Sequence, residues 1–214
     1  MPFILITSKI SSSLNIINPT LGGKMDLNLL FKRVMRAALL DEEFYKEAEA
    51  DTTLNQEALM IVIAVSIISG IGAFFAGLIA GRPGAAFLAL IVNSGIGVAN
   101  YYVWAYVTHF IGTNMFDGDA DPGELLRVLG YASAPRLLGL LGFIPCIGWL
   151  IAFAGAIWAL VAGFYGVREA LDLDTTETLI TVFLGWLAVV IITAIVNSIF
   201  GFAGLRQSLG SFRS

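Results

Sequence analysis

Charge is scarce in this chain. Only 13% of its 214 residues are Asp, Glu, Lys or Arg, and 57% are hydrophobic. That charged fraction is about half of what a soluble domain carries. Four stretches of 24 to 34 residues contain none of these charged side chains, at 58–81, 83–116, 137–167 and 178–205. The composition excludes a soluble globular enzyme.

Cysteine and histidine are almost absent as well. The only cysteine, Cys146, rules out an intramolecular disulfide, and the only histidine is His109. The sequence contains no Ser/His/Asp arrangement, no metal-ligand cluster and no phosphate-binding loop. Its net charge of -4 comes without a basic cluster. We therefore predict a protein that is not an enzyme, carries no cofactor and binds no nucleic acid.

The uncharged stretches are typical of membrane spans. A helix of roughly 20 apolar residues crosses the hydrocarbon core, and helices satisfy every backbone hydrogen bond internally. We predict an all-α integral membrane protein, a bundle of five transmembrane helices with an N-terminal amphipathic helix. Residues 1–24 are a doubtful N-terminal extension, 25–56 a cytoplasmic amphipathic and acidic helical segment, 57–203 the membrane domain and 204–214 a short tail.

The number of spans depends on how residues 137–167 fold. One long helix there gives four spans, and a turn at the sequence IPCIG gives five. Pro145 favours the turn, since inside a helix it costs about 3 kcal/mol, and Trp149 suits an interface. Five spans place the N-terminus in the cytoplasm, the C-terminus outside and six of nine basic residues inside, in agreement with the positive-inside rule.

Residues 25–40 have the pattern of an amphipathic helix. Leu27, Leu30, Phe31, Val34, Met35 and Ala38 share one face. Lys32, Arg33 and Arg36 lie off that face and suit anionic lipid headgroups. The alternative is a helix that packs on the end of the bundle. Helix caps are predicted further on, from Thr53 with Gln56 and from Asp174 with Glu177.

Arg136 is the most unusual residue. It follows Pro135 inside the apolar segment GYASAPRLLGLLGFIPCIGWL, where an arginine near a span centre costs roughly 2.5–3.5 kcal/mol. Either it holds a bent helix together, or it binds a lipid phosphate, an anion or a partner. Asn93 and Asn100, seven residues apart on one helix face, are expected to bond between helices or to line a polar path.

Two further patterns are weak candidates for ligand binding. His109 is a possible haem or pigment ligand, although a histidine after the aromatic sequence YYVWAYV is typical of a membrane interface. Asp117, Asp119 and Asp121 alternate as in a calcium loop, but the glycine and glutamate that an EF-hand needs are missing. An acidic, solvated loop is the favoured interpretation.

The succession of segments resembles the YIP1 family of five-span membrane proteins, in its prokaryotic branch. The resemblance is carried by LLDEEFYKEAEAD, ELLRVLGYASAPRLL, IPCIGWL and IWALVAGFYGVREAL, and above all by Gly130, Tyr131 and Pro135. The resemblance implies the fold and a prokaryotic plasma membrane as the expected location, with a membrane-organising role by analogy. Eukaryotic members are implicated in vesicle traffic and GTPase binding through an Asp-Leu-Tyr-Gly type motif, which this sequence lacks.

The leading functional hypothesis is a non-enzymatic adaptor, assembly factor or accessory subunit. Its expected partners are other integral membrane proteins or a larger membrane complex, and membrane lipids. A small transporter or channel is the second hypothesis, supported by Arg136 and the asparagines. A pigment- or haem-carrying subunit is the third, and it depends on His109 alone.

Overall fold

The computed structural model describes residues 27–143 and 147–211. The chain divides into two units after Lys32, and the architecture described below is that of the second, 33–214. Seven α-helices, a short 3₁₀ turn and a longer 3₁₀ segment make up the described architecture. They are α1 (Leu27–Ala38), α2 (Glu42–Ala50), the 3₁₀ turn (Thr52–Leu54), α3 (Asn55–Ile79), α4 (Pro83–Met115), α5 (Pro122–Ala132), the 3₁₀ segment (Ala134–Phe143), α6 (Gly148–Leu171) and α7 (Thr175–Ser211).

Helix α1 ends where the chain turns through Leu40, which has a positive φ of 62°. The last carbonyls of a helix have no partner inside it, so they need donors from elsewhere. The Tyr45 hydroxyl donates to the carbonyl of Ala37 at 3.1 Å, and the Trp158 indole donates to that of Ala38 at 2.6 Å. These bonds hold the end of α1 against α2 and α6.

Among the described residues, four helices are long and apolar enough to cross a membrane, namely α3, α4, α6 and the part of α7 up to Val196. Large apolar side chains on all four face outward, as lipid-facing surfaces require. Gly81, with a positive φ of 69°, turns α3 into α4, which then begins at Pro83. The prediction of an all-α membrane bundle is confirmed.

The predicted third span differs from a transmembrane helix. It consists of α5, which is 11 residues long, followed by a 3₁₀ segment of 10 residues. Pro135 has no N–H to continue the α-helical bonding, and the Arg136 N–H instead bonds the Ser133 carbonyl three residues back, at 3.0 Å. Among the described residues, four of the five predicted spans are therefore long helices, and the predicted third span is this two-part segment.

The alternative of one helix across residues 137–167 is wrong. Residues up to Phe143 belong to the 3₁₀ segment, and α6 begins only at Gly148. Of the predicted turn at 144–148, residues 144–146 with Cys146 lie outside the described residues. Residues 1–24 and the last three residues of the predicted tail also lie outside them.

Close contacts at glycines show how the two-part segment runs. A Cβ on Gly130 would lie 2.8 Å from Cβ of Ala58, and one on Gly139 would lie 3.9 Å from Ile68. The segment therefore runs beside α3 in the same direction. A Cβ on Gly155 of α6 would meet the Pro135 carbonyl at 2.7 Å. The chain thus leaves one end of the bundle through α5 and returns through α6.

The predicted cap of the last span is confirmed, and that of the first is not. Asp174 accepts hydrogen bonds from the N–H groups of Thr176 and Glu177 at 2.8 and 2.9 Å. Before α3, the cap is Asp51, which accepts from the N–H of Thr53 at 2.9 Å. Asp51 caps the helix in place of Thr53, because the Thr53 hydroxyl itself donates to the Asp51 carboxylate, at 2.7 Å.

Candidate functional site

Charged side chains gather at one end of the bundle, which we call the charged end. It comprises residues 33–57, 116–131 and 166–178, where α3, α5 and α7 begin and α4 and α6 end. Ion pairs between Lys46 and Glu169 at 3.5 Å and between Arg168 and Glu42 at 3.9 Å connect α2 with α6. The charged end holds fifteen carboxylates and five basic side chains, a formal net charge of -10.

Arg127 fixes helix α2 to the rest of the bundle. Its guanidinium is 4% exposed and donates to the carbonyls of Ala48, at 2.7 Å, and Glu49, and to Oδ1 of Asn55 at 3.2 Å. The first two acceptors lie at the C-terminus of α2, where the helix dipole attracts a cation. A buried arginine is tolerated when its donors are satisfied in this way. Arg127 therefore acts as a cap supplied by a distant part of the chain.

A second, partly buried connection joins α1, α3 and α5. One Arg33 nitrogen donates to both carboxylate oxygens of Glu57, at 2.7 and 2.8 Å. The Tyr131 hydroxyl donates to Oε2 of the same carboxylate at 2.7 Å. The Tyr131 ring is fully buried and packs edge-on against Phe44, 4.9 Å between centroids. Glu57, the last charged residue before the first span, is thereby fully occupied.

Arg36 connects the end of α1 to α2. It donates to Asp41 and to Glu47, each at 2.7 Å, and its guanidinium lies 5.2 Å from the centroid of the Phe44 ring. The hydrogen bond from Arg36 holds the pKa of Asp41 below its usual value. The same bonds with Asp41 and Glu47 raise the pKa of Arg36.

These contacts bear on the predicted lipid-binding set of Lys32, Arg33 and Arg36. Arg33 and Arg36 are committed to carboxylates of the protein, so they form internal ion pairs in this structure. Lys32 belongs to the first unit of the chain. The binding of lipid headgroups by these three residues stays a prediction.

Glu49 is a carboxylate of the charged end whose pKa lies above its usual value. Burial, followed by repulsion from Asp172, Glu124 and Glu169, raises its pKa to about 7, and Lys46 opposes this. Its Oε2 is buried without a hydrogen-bond partner among the described residues. Within 27–143 and 147–211 no group of three or more His, Cys, Asp or Glu side chains is placed to hold a metal ion.

The predicted acidic loop is organised by backbone contacts. Asp121 forms a capping box with Glu124 at the start of α5, and Asp117 has a positive φ of 55°. Asp119 is exposed. His109 of α4 lies with its Nε2 2.9 Å from the carbonyl of Ala120. In this position the histidine holds the loop to α4, and that ring nitrogen is engaged by the main chain.

Arg136 is an exposed residue that lines a cavity of about 200 Å³. The cavity lies between α4, α6, α7 and the 3₁₀ segment. Its lining comprises Gly97, Asn100, Tyr101, Trp104, Arg136, Ala156, Ala159, Leu160, Trp186 and Val189. Among the described residues the Arg136 guanidinium has no hydrogen-bond or ion-pair partner. The cavity therefore presents one unpaired cation in a largely apolar setting.

The two predicted asparagines have different surroundings. Asn100 lines the cavity and donates to the Thr193 hydroxyl of α7 at 3.1 Å, which joins two helices. Asn93 is exposed and donates to the Ala89 carbonyl of its own helix at 2.8 Å. The structure brings Asn100 together with Arg136 and leaves Asn93 outside the cavity.

The sequence did not reveal the structural role of Arg127, which was counted only among the basic residues on the cytoplasmic side. The available signal is its position in the sequence ELLRVLGYA, where an arginine has apolar neighbours on both sides. Its acceptors are separated from it by more than 70 residues in sequence. No local pattern predicts which carbonyls a buried arginine will find.

A comparison with family models agrees with this architecture. The model of the Yip1 domain matches residues 37–197, about three quarters of the chain. The chain belongs to the Yip1 family. No curated protein and no solved structure matches it.

The Yip1 domain contains most of the candidate site, and Arg33 and Arg36 lie just before it. It begins at the end of α1, which Tyr45 and Trp158 hold, and ends within α7 beyond Thr193. Arg127, Glu57 and Arg136 therefore all belong to the matched region. Most of the site is thus part of the Yip1 domain itself.

Proposed function

We propose that this protein is a non-enzymatic membrane adaptor or accessory subunit. In this proposal it docks other integral membrane proteins at its charged end and contacts lipid along its helices. The observation that supports it best is the locking of α2 onto the bundle by Arg127. A surface that is rigid before binding loses little conformational entropy when a partner docks.

The negative charge of the charged end indicates which kind of partner segment would bind there. The exposed carboxylates of the charged end include Glu42, Glu43, Glu47, Asp117, Asp119, Asp121, Asp172 and Asp174. A basic segment of a membrane protein, close to its own transmembrane helix, is complementary to this surface. Complementary charge speeds encounter and sets orientation, and its effect is screened by salt.

Orientation follows from the same arrangement. Five of the basic residues lie at the charged end, against Arg82 and Arg206 toward the opposite end, so we infer from the positive-inside rule that the charged end is cytoplasmic. With the two-part segment as a further crossing, the C-terminus lies outside. A prokaryotic plasma membrane remains the expected location.

The test is site-specific photocrosslinking in cells, followed by purification in mild detergent. A photoreactive residue is placed at Glu43 or Asp119, and a matched one at Arg82 on the opposite end. We expect one integral membrane protein to crosslink from the first two positions and not from the third. Its recovery should fall with added salt and in the charge-reversed variant Glu43→Lys/Asp119→Lys.

Two results would overturn the proposal. One is crosslinking that is equally strong from all three positions, as random collision in the membrane gives. The other is recovery of the same partner by the charge-reversed variant at every salt concentration. In either case the charged end is not a docking surface.

The cavity beside Arg136 and Asn100 is the one observation that favours the second hypothesis, a small transporter or channel. Purified protein in liposomes distinguishes the two, since the adaptor proposal expects no anion flux above that of empty liposomes. The third hypothesis, a pigment or haem subunit, is tested by the visible absorption spectrum of the purified protein. We expect no visible band, because the Nε2 of His109 faces a carbonyl.

A further inference from the structure

The cavity at Arg136 has a floor and a rim of different character. Tyr101 and Ala159 form the buried floor, while Ala156 of α6 and Trp186 of α7 are exposed at the rim. Exposed apolar side chains flank the rim on both helices, including Phe153 and Val190. The cavity therefore opens sideways to lipid and not to water.

The depth of Arg136 can be read from the contacts of its neighbours. Gly130 lies against Ala58 and Gly139 against Ile68, and Arg136 falls between these two points. At about 1.5 Å per residue, it lies about 10 Å further into the bundle than Ala58. Ala58 directly follows Glu57, so this depth is below the headgroups of the leaflet at the charged end, within reach of a long side chain that snorkels.

An unpaired guanidinium at this depth needs an anion. The cost of holding it in an apolar setting falls when a phosphate or carboxylate accepts its fork of N–H groups. Among the described lining residues no carboxylate can serve. Asn100 has further hydrogen-bonding capacity beside its bond to Thr193, and the remaining wall is apolar or aromatic.

We propose that this cavity binds the phosphate of an anionic phospholipid of the leaflet at the charged end. Arg136 pairs with the phosphate, and the acyl chains leave through the rim between Ala156 and Trp186. A volume of about 200 Å³ holds a headgroup but not a whole lipid. The described lining offers no anion for an ammonium group, so a headgroup without an amine is preferred. The inference rests on the lipid-contacting part of the proposed function and is independent of partner docking.

Native mass spectrometry of the full chain in detergent tests this binding. Phosphatidylglycerol and phosphatidylcholine are added in equal amounts, and the retained lipid adducts are compared. The wild type should retain one phosphatidylglycerol in preference to phosphatidylcholine. Arg136→Gln should lower the amount of retained phosphatidylglycerol about tenfold, because the variant loses its charged hydrogen bonds to the phosphate. The control Arg82→Gln removes an arginine at the opposite end and should change nothing.

A second variant separates binding from folding. Ala156→Phe keeps Arg136 and fills the rim, so it should also lose the retained lipid while its thermal unfolding matches that of the wild type. Equal retention of both lipids by the wild type would overturn the inference. So would unchanged retention in both cavity variants, or displacement of the lipid by millimolar inorganic phosphate, which would identify a free-anion site. Crosslinking from Glu43 is unaffected by any of these results.

Discussion

The hydrogen bond from Tyr131 to Glu57 gives the most direct test of how the charged end is held together. Tyr131→Phe removes one hydroxyl and leaves the ring in its buried position against Phe44. A hydrogen bond to a charged group contributes roughly 1.5–3 kcal/mol, so we expect a loss of about 2 kcal/mol. In a chain of this length that lowers the Tm by roughly 4–8 °C.

A double-mutant cycle assigns the loss to the pair. Glu57→Ala removes the acceptor and also leaves Arg33 without its bidentate partner, so this change alone should cost more than Tyr131→Phe. In the Glu57→Ala background, removing the Tyr131 hydroxyl should cost almost nothing. The coupling energy should therefore be about 1.5–2 kcal/mol, within the range for residues in one hydrogen-bond network.

The measurement is thermal unfolding in one detergent at a fixed scan rate. Tyr106→Phe is the matched control, because Tyr106 is 52% exposed and lies on the same bundle. It should leave the Tm unchanged. Equal losses from Tyr131→Phe in the wild-type and Glu57→Ala backgrounds would refute the reasoning, since the hydroxyl would then not act through Glu57.

Three further predictions concern the charged end, the packing and the topology. Glu49 has a pKa of about 7 in the folded state, above its unfolded value, so its contribution to stability is full at low pH and is lost as the pH rises through 7. Glu49→Gln should therefore raise the Tm at pH 8 and not at pH 4.5. An equal rise in Tm at both pH values would contradict this prediction. Gly130→Ala should lower the Tm, because the added Cβ would lie 2.8–3.2 Å from atoms of Ala58. The control Gly95→Ala adds a Cβ with nothing within 4 Å, so it should leave the Tm unchanged or raise it. Equal effects of the two substitutions on the Tm would show that the contact at Gly130 is loose. In a Cys146→Ser background, Arg82→Cys should react with a membrane-impermeant maleimide on intact cells, and labelling only in inverted vesicles would reverse the proposed orientation.

The long helices were predictable because lipid imposes a simple requirement on sequence. Each of α3, α4, α6 and α7 lies on an uncharged stretch, since a charge there has no water to solvate it. The two-part segment was harder to predict, because hydropathy does not show that the backbone hydrogen bonds change from the α-helical to the 3₁₀ pattern at Pro135. Pro135 was noted in the sequence as the neighbour of Arg136, but only the structure showed that the α-helix ends just before it, at Ala132.

The candidate site was predictable only in part, for a similar reason. Arg136 stood out because its apolar sequence neighbours cannot neutralise it, and it does line a cavity. Arg33 and Arg36 were expected at lipid headgroups because the sequence gives no sign that Glu57, Asp41 and Glu47 lie within reach. Partner choice among charged side chains is set by how the helices pack, which local periodicity does not encode.

The bonds of Arg127 have a consequence for how this protein can diverge among its relatives. Two of its three acceptors are main-chain carbonyls, which every amino acid carries. A substitution at position 49 that preserves the helix leaves that acceptor in place, whereas position 127 tolerates only a side chain with several donors in a rigid fork. Covariation between positions 49 and 127 should therefore be weak even though their contact is close. Mutational scanning should find position 127 intolerant beside a permissive position 49.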